Sequence, residues 1–137
     1  VHIGLNDLHL GYKKKFMFEL LTDGTVEFLC NKFKEHNITS YGFGGISKIG
    51  TGDLPAENIL IEHYRLGSEA AILSRSFCNT NKVTDINEVE KIFKNEVKKI
   101  RETEKKISKY TDKEYKENYS KIDSAIRKTK NEMEKNK

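Results

Sequence analysis

Glycine and proline are both missing from residues 85–137 of this 137-residue chain, a stretch rich instead in Lys and Glu. With neither of the strong breakers present, nothing local interrupts helix, and a long helical tail is expected there. Cysteine is scarce. Cys30 and Cys78 are the only two and show no C-x2-C spacing, which excludes a cysteine metal cluster. So few thiols suit a reduced, cytoplasmic setting. No apolar run approaches the ~18 residues of a membrane-spanning helix, so no membrane partner is expected. Charge of a single sign is lacking too: 25 Lys and Arg stand against 21 Asp and Glu. Acids are interspersed among the bases throughout the tail, which argues against a nucleic-acid partner.

What is present divides the chain in two. Residues 1–84 hold nine Lys/Arg and nine Asp/Glu; residues 85–137 hold 16 and 12, so the net charge of +4 belongs to the second part. The first part is apolar and carries every glycine and the one proline. It reads as an α/β segment, and the second as a closing helix plus a helical hairpin or coiled-coil extension.

Val1 to Leu5 reads as a short strand, and residues 16–21, FMFELL, as an apolar cluster of either type. Asp23 is placed to cap a helix running to Glu35, because Val26, Leu29, Cys30 and Phe33 follow the i, i+3, i+4, i+7 pattern. On that stripe Cys30 is a small buried hydrophobe. ITSYGFGGI reads as a second strand ending in glycines. Asp53 and Pro55 then start a helix that Gly67 ends, and EAAILSRSF is a third strand, apolar as a buried parallel strand should be. The alternation argues for parallel strands with helical crossovers. Three strands make neither a closed barrel nor a well-covered sheet, and the fold is expected to begin upstream of residue 1.

The tail opens at a capping signal, Thr84-Asp85 with Glu88. Ile86, Val89, Phe93, Val97, Ile100 and Ile107 form one apolar stripe; Tyr115, Tyr119, Ile122, Ile126 and Met133 form another. Between them the pattern breaks near Tyr110-Thr111-Asp112, where Thr111 and Glu114 resemble a second capping box. Two helices joined near residue 111 are expected, packed as a hairpin or against another subunit.

The stretch that carries chemistry is IGLNDL, residues 3–8. A carboxylate at the carboxyl end of a parallel strand, beside a glycine and an amide, suits a hard cation such as Mg2+, which takes oxygen ligands and leaves positions for water and substrate. The plain alternative makes Asp7 a turn cap and Asn6 part of an Asx turn. Gly44-Gly45 either lets a substrate approach the backbone or only bends the strand end. Arg75 either reaches an anionic substrate or pairs with Asp53 or Glu57. His9 reads as an exposed loop residue and His63 as a structural one in mid-helix. GFGG and GTGD lack the register of a dinucleotide or phosphate-binding loop.

IGLNDL resembles the metal-binding strand end of the phosphoenolpyruvate/pyruvate barrel superfamily, in which a Gly-x-(Asn/Ser)-Asp-Leu run follows an apolar strand. The segments SYGFGGI and LPAENILIEHYRLGSEAAILSRSF follow in the order of that family's seventh strand, seventh helix and eighth strand. The resemblance covers residues 1–84 and the start of the tail. It implies the C-terminal part, about three βα units, of a TIM (β/α)8 barrel followed by a long helical extension. Two branches matter: the HpcH/HpaI aldolase and citrate lyase family, and the phosphoenolpyruvate-utilising phosphotransferases. The second branch carries a Cys-Gly-Glu run on the seventh strand, where this chain has Phe43-Gly44-Gly45. That favours the lyase branch.

By that resemblance, Asp7 ligates Mg2+ or Mn2+, and the second carboxylate ligand lies upstream of residue 1. Asn6 contacts the pyruvate moiety, with Gly44, Gly45 and Arg75 as further substrate-binding candidates. The metal, chelated by a 2-oxo acid, stabilises the enolate formed as a carbon–carbon bond breaks. The implied substrate is a small 2-oxo acid of the pyruvate or oxaloacetate kind. The fragment is expected to be inactive alone, and the parent to be a homo-oligomer paired through its C-terminal helices. The competing readings are the phosphotransferase and a non-catalytic helical assembly module.

Overall fold

The computed structural model describes residues 1–136. Its strands are β1 (His2–Ile3), β2 (Gly42–Ile46) and β3 (Ala70–Leu73); its helices are α1 (Leu5–Gly11), α2 (Glu19–Thr22), α3 (Thr25–Glu35), α4 (Ala56–Leu66), α5 (Ile86–Ile107) and α6 (Asp112–Lys135). The three strands form one parallel sheet in the order β1-β2-β3. His2 pairs with Gly42 and Ile3 with Phe43; Gly42 pairs with Ala70, and after a register shift Gly45 pairs with Ile72. The chain is therefore an α/β protein with a small parallel sheet and a helical C-terminus.

Several elements depart from the sequence expectation. The first strand stops at Ile3, and α1 begins at once with Gly4 as its N-cap residue. Leu5 and His9 recur at helical spacing and are buried, with Leu8 half-buried between them, which draws this segment into helix. His9 is thus no exposed loop residue; its Nδ1 lies 3.3 Å from the Leu5 carbonyl oxygen. β3 is a second correction. It is an edge strand, and Ile72 and Leu73 remain 60% and 38% exposed. Ala71 packs toward α4 and α5, so its neighbours Ala70 and Ile72 take the opposite, open face. The strand is apolar on both faces because of its composition, not because both are covered.

The FMFELL cluster becomes the centre of the larger core. Phe16, Phe18, Leu20 and Leu21 are buried there with Val26 and Cys30 of α3 and Phe43 of β2. Asp23 accepts the Thr25 amide at 2.9 Å, although Gly24, in the left-handed region, takes the cap position itself. α4 starts after Pro55 and ends at Gly67, whose φ of +73° suits glycine. A second core joins Ile46, Leu60 and Phe77 to Ile100 and Ile107 of α5.

The tail is a pair of helices broken where the capping box falls. Thr111 and Glu114 cap α6 reciprocally, and Asp85 caps α5 by accepting the Asn87 amide at 2.8 Å. Ile122 and Ile126 of α6 are buried in the larger core, whereas Ile100 and Ile107 of α5 lie in the second; both helices pack on α4 rather than on each other, so they belong to the folded body and do not form the expected hairpin. Ile86, expected on the α5 stripe, is 79% exposed, and Met133 at the far end of α6 is 39% exposed.

Polar contacts fix α6 in place. Asn118 donates from Nδ2 to the Asn58 carbonyl at 3.1 Å and to Glu62 Oε1 at 3.2 Å. Glu62 is fully buried and accepts the Arg65 Nε–H at 2.8 Å; Arg65 also reaches Glu27 of α3 at 3.2 Å and lies over the Tyr119 ring. Burial pushes the Glu62 carboxyl up, against the opposing pull of Arg65 and Asn118. Glu19 behaves oppositely. Burial raises it, but the Phe16 amide and the Lys130 ammonium outweigh that, holding its carboxyl below the ordinary range.

Candidate functional site

Because the strands are parallel, the segments that follow them emerge at one edge of the sheet. That carboxyl edge gathers Asn6-Asp7 after β1, Gly44 to Ser47 at the end of β2, and Ser74-Arg75-Ser76 after β3. The sequence-predicted residues therefore share one edge, although not one cavity.

Asn6 and Asp7 are exposed in the first turn of α1. A carboxylate there faces the positive end of the helix dipole. Among the described residues no side-chain hydrogen bond caps α1. Asp7 Oδ2 leans back over the strand end: a Cβ added at Gly4 would stand 3.8 Å from it. Among the described residues, no group of three or more His, Cys, Asp or Glu side chains is placed to hold a metal ion. Asp7 thus presents a solvent-facing carboxylate at the β1 end of this edge.

Gly44 and Gly45 are where chain segments meet. Gly44 has φ of +60°, and a Cβ there would stand 2.8 Å from Leu5 Cδ1. The missing side chain lets the β1–α1 junction, and with it Asn6 and Asp7, pack against β2. At Gly45 a Cβ would stand 3.3 Å from the Ile72 carbonyl oxygen and 3.6 Å from Ser74 Cβ. Arg75 is exposed and lines a surface cleft with Cys78 and Asn79. It forms no ion pair with Asp53 or Glu57 among the described residues; Glu57 instead accepts the Gly50 amide at 2.8 Å.

A cavity of about 180 Å3 opens at the β2–β3 end of this edge, lined by Gly45, Ser47, Asp53, Ser74 and Ser76 above Phe18 and Leu54. The serines were not singled out in the sequence, although a hydroxyl directly after a strand, as in Ser47 and Ser74-x-Ser76, was the available signal. Larger depressions lie elsewhere: about 380 Å3 between β3 and α5, and about 660 Å3 between α4 and α6.

His63 borders the first of these and is 3% exposed. It stacks on Phe43 with ring centroids 3.9 Å apart. Ser68 Oγ donates to the Ala70 carbonyl at 3.2 Å, which makes His63 Nδ1–H the donor in the 2.7 Å contact to Ser68 Oγ. Burial, with a smaller contribution from His2, lowers its pKa to about 4. His63 is thus a neutral packing residue, in line with the structural role expected of it. Phe43 is fully buried against that ring.

No protein-family model, curated protein or solved structure matches this chain. No helix among the described residues is long and apolar enough to cross a membrane.

Proposed function

We propose that the chain is the C-terminal part of a TIM (β/α)8 barrel belonging to a metal-dependent aldolase or carbon–carbon lyase of the HpcH/HpaI and citrate lyase kind. One observation carries the reading. The parallel strands neighbour one another in chain order, as consecutive barrel strands do, and the IGLNDL carboxylate falls at their carboxyl edge. The bare outer edge of β3 and the open face bearing Ile72 agree with strands that pair further within a barrel.

In this reading Asp7 holds Mg2+ or Mn2+ together with a carboxylate from a preceding strand. The cation supplies Lewis-acid stabilisation of negative charge at the keto oxygen of a 2-oxo acid. Asn6 orients the pyruvate portion, and Gly44 keeps the β1–α1 junction close enough to β2 for that to happen. Arg75, exposed at the same edge and without an ion pair among the described residues, attracts the anionic substrate from solvent. The buried Phe43 supports the lyase over the phosphotransferase, since no thiol stands there to move a proton. Self-association is assigned to the N-terminal half of α5, where Ile86 is exposed, because the α6 stripe packs within its own chain.

The test is oxaloacetate decarboxylation by a polypeptide that carries this chain together with the preceding strands of the proposed barrel. Activity that requires Mg2+ or Mn2+ and vanishes in Asp7→Ala is the expected result. Metal-independent activity, or activity indifferent to Asp7, would refute the assignment.

A further inference from the structure

The depression of about 660 Å3 between α4 and α6 shares no lining residue with the carboxyl edge. Its volume lies within the range of small-molecule sites, about 300–1,000 Å3. Three of the chain's six tyrosines meet there, Tyr64 on the α4 wall and Tyr115 and Tyr119 on the α6 wall.

These rings are held in place by the fold itself. Tyr119 donates its hydroxyl to the Thr22 carbonyl at 3.1 Å, and the Arg65 guanidinium lies over its ring, 5.0 Å from the centroid. Arg65 is fixed in turn, at 2.8 Å by Glu62 and at 3.2 Å by Glu27. Tyr115 rests against Tyr110 in an edge arrangement with centroids 6.3 Å apart. Asn118 of α6, bonded to Asn58 and Glu62 of α4, sets how far apart the two walls stand. Burial pushes all three tyrosine hydroxyls up, so the rings are neutral at physiological pH.

Charge narrows the choice of ligand. Two acids, Glu27 and Asp112, and two bases, Arg65 and Lys116, line the cleft, so neither an anion nor a cation gains much on entering. A phosphate finds Arg65 already engaged by two carboxylates and Lys116 balanced by Asp112 one turn away. Asp112, Lys116 and Ser120 are exposed along one face of α6, so acceptors and donors both stand open at the mouth. Shape narrows it further. With aromatic rings on both walls, the cleft suits a ligand that is flat on both faces; a pyranose presents only one C–H face of that kind.

We propose that the cleft between α4 and α6 binds an uncharged planar heteroaromatic ring with donors and acceptors on its edge, a free nucleobase or nucleoside. The tyrosine faces stack on the ring, as aromatic side chains do on bases generally, and the polar side chains at the mouth meet its edge. This site stands apart from the lyase reading, and neither depends on the other.

Uridine is the probe, titrated into the chain carrying 13C in its tyrosine rings. The ring protons of Tyr64 and Tyr115 should move upfield and saturate, because a stacked base shields them, while those of Tyr12, outside the cleft, stay in place. Tyr64→Leu should weaken binding about five- to hundredfold, and Tyr64→Phe should preserve it. Tyr64 is an exposed side chain, so its replacement leaves the body folded; Tyr115→Leu, checked by circular dichroism, tests the opposite wall. Uridine monophosphate should bind within about threefold of uridine. Monophosphate binding more than about tenfold tighter would overturn the proposal as phosphate recognition. So would choline or glucose shifting these rings at lower concentration than uridine, shifts spread evenly over all the tyrosines, or none at all.

Discussion

Replacing Ile122 by Ala removes three methyl or methylene groups from a side chain that is 1% exposed, set between α6 and the larger core. The loss combines the transfer free energy of those groups with the cost of the cavity left behind, about 2–5 kcal/mol for Ile→Ala in a packed interior. Ile122 belongs toward the middle of that range. Its cluster includes aromatic side chains such as Phe16 and Phe18, which collapse poorly into a methyl-sized void, but α6 is a single helix free to shift by a fraction of an ångström. A loss of about 3 kcal/mol corresponds to a fall in Tm of about 10 °C for a chain of this length. Urea unfolding followed by far-UV circular dichroism reads it as a lower midpoint at unchanged slope. Ile86→Ala is the matched control: the same deletion at a side chain 79% exposed should cost under about 0.5 kcal/mol. Equal effects of the two substitutions, or a first transition that melts α6 apart from the rest, would refute the conclusion that α6 is built into the body.

Other predictions concern single groups. His63 has its pKa lowered to about 4, below the ordinary value of 6.5, so its neutral form stabilises the fold fully above pH 6.5 and that contribution fades as pH falls toward 4. The span is worth about 3 kcal/mol, and His63→Phe, which keeps the stack on Phe43, should flatten the stability profile across that window. Arg65→Met strips the buried Glu62 of its ion-pair partner and should cost about 3–5 kcal/mol in denaturant titrations, whereas Glu62→Met combined with Arg65→Met should recover most of it. Gly44→Ala forces a Cβ into positive φ against Leu5, and a loss of about 1–3 kcal/mol is expected by thermal melting, partly relieved when Leu5→Ala is added.

The four longer helices were legible from their apolar period and their boundary signals. Val26, Leu29, Cys30 and Phe33 announced α3, Gly67 closed α4, and Thr111 with Glu114 placed the break in the tail near residue 111. Parallel pairing was legible from alternation alone. The departures came where short segments carry little pattern. Two residues of strand before Gly4 are too few to distinguish from the helix that follows, and the apolar run of β3 reads the same whether or not its faces are covered. At the candidate site, Asp7 stood out because IGLNDL resembles a metal-binding strand end, and the glycine pair because it closes an apolar strand. The Gly44 contact with Leu5 and the Gly45 contact with Ile72 depend on how strands distant in the sequence register with one another. No local pattern carries that. The Glu62–Arg65–Asn118 network was silent for the same reason: its members look like ordinary surface charges until α6 folds over α4.

The lyase assignment depends on one carboxylate. Titrating Mn2+ into the polypeptide that spans this chain and the preceding strands, with oxalate present as an enolate mimic, tests it most directly, with the free ion followed by electron paramagnetic resonance. The account predicts that oxalate tightens Mn2+ binding and that Asp7→Ala abolishes the tightening while the protein stays folded. Oxalate-linked binding of equal strength in the Asp7→Ala protein, or none in a folded wild type, would contradict it.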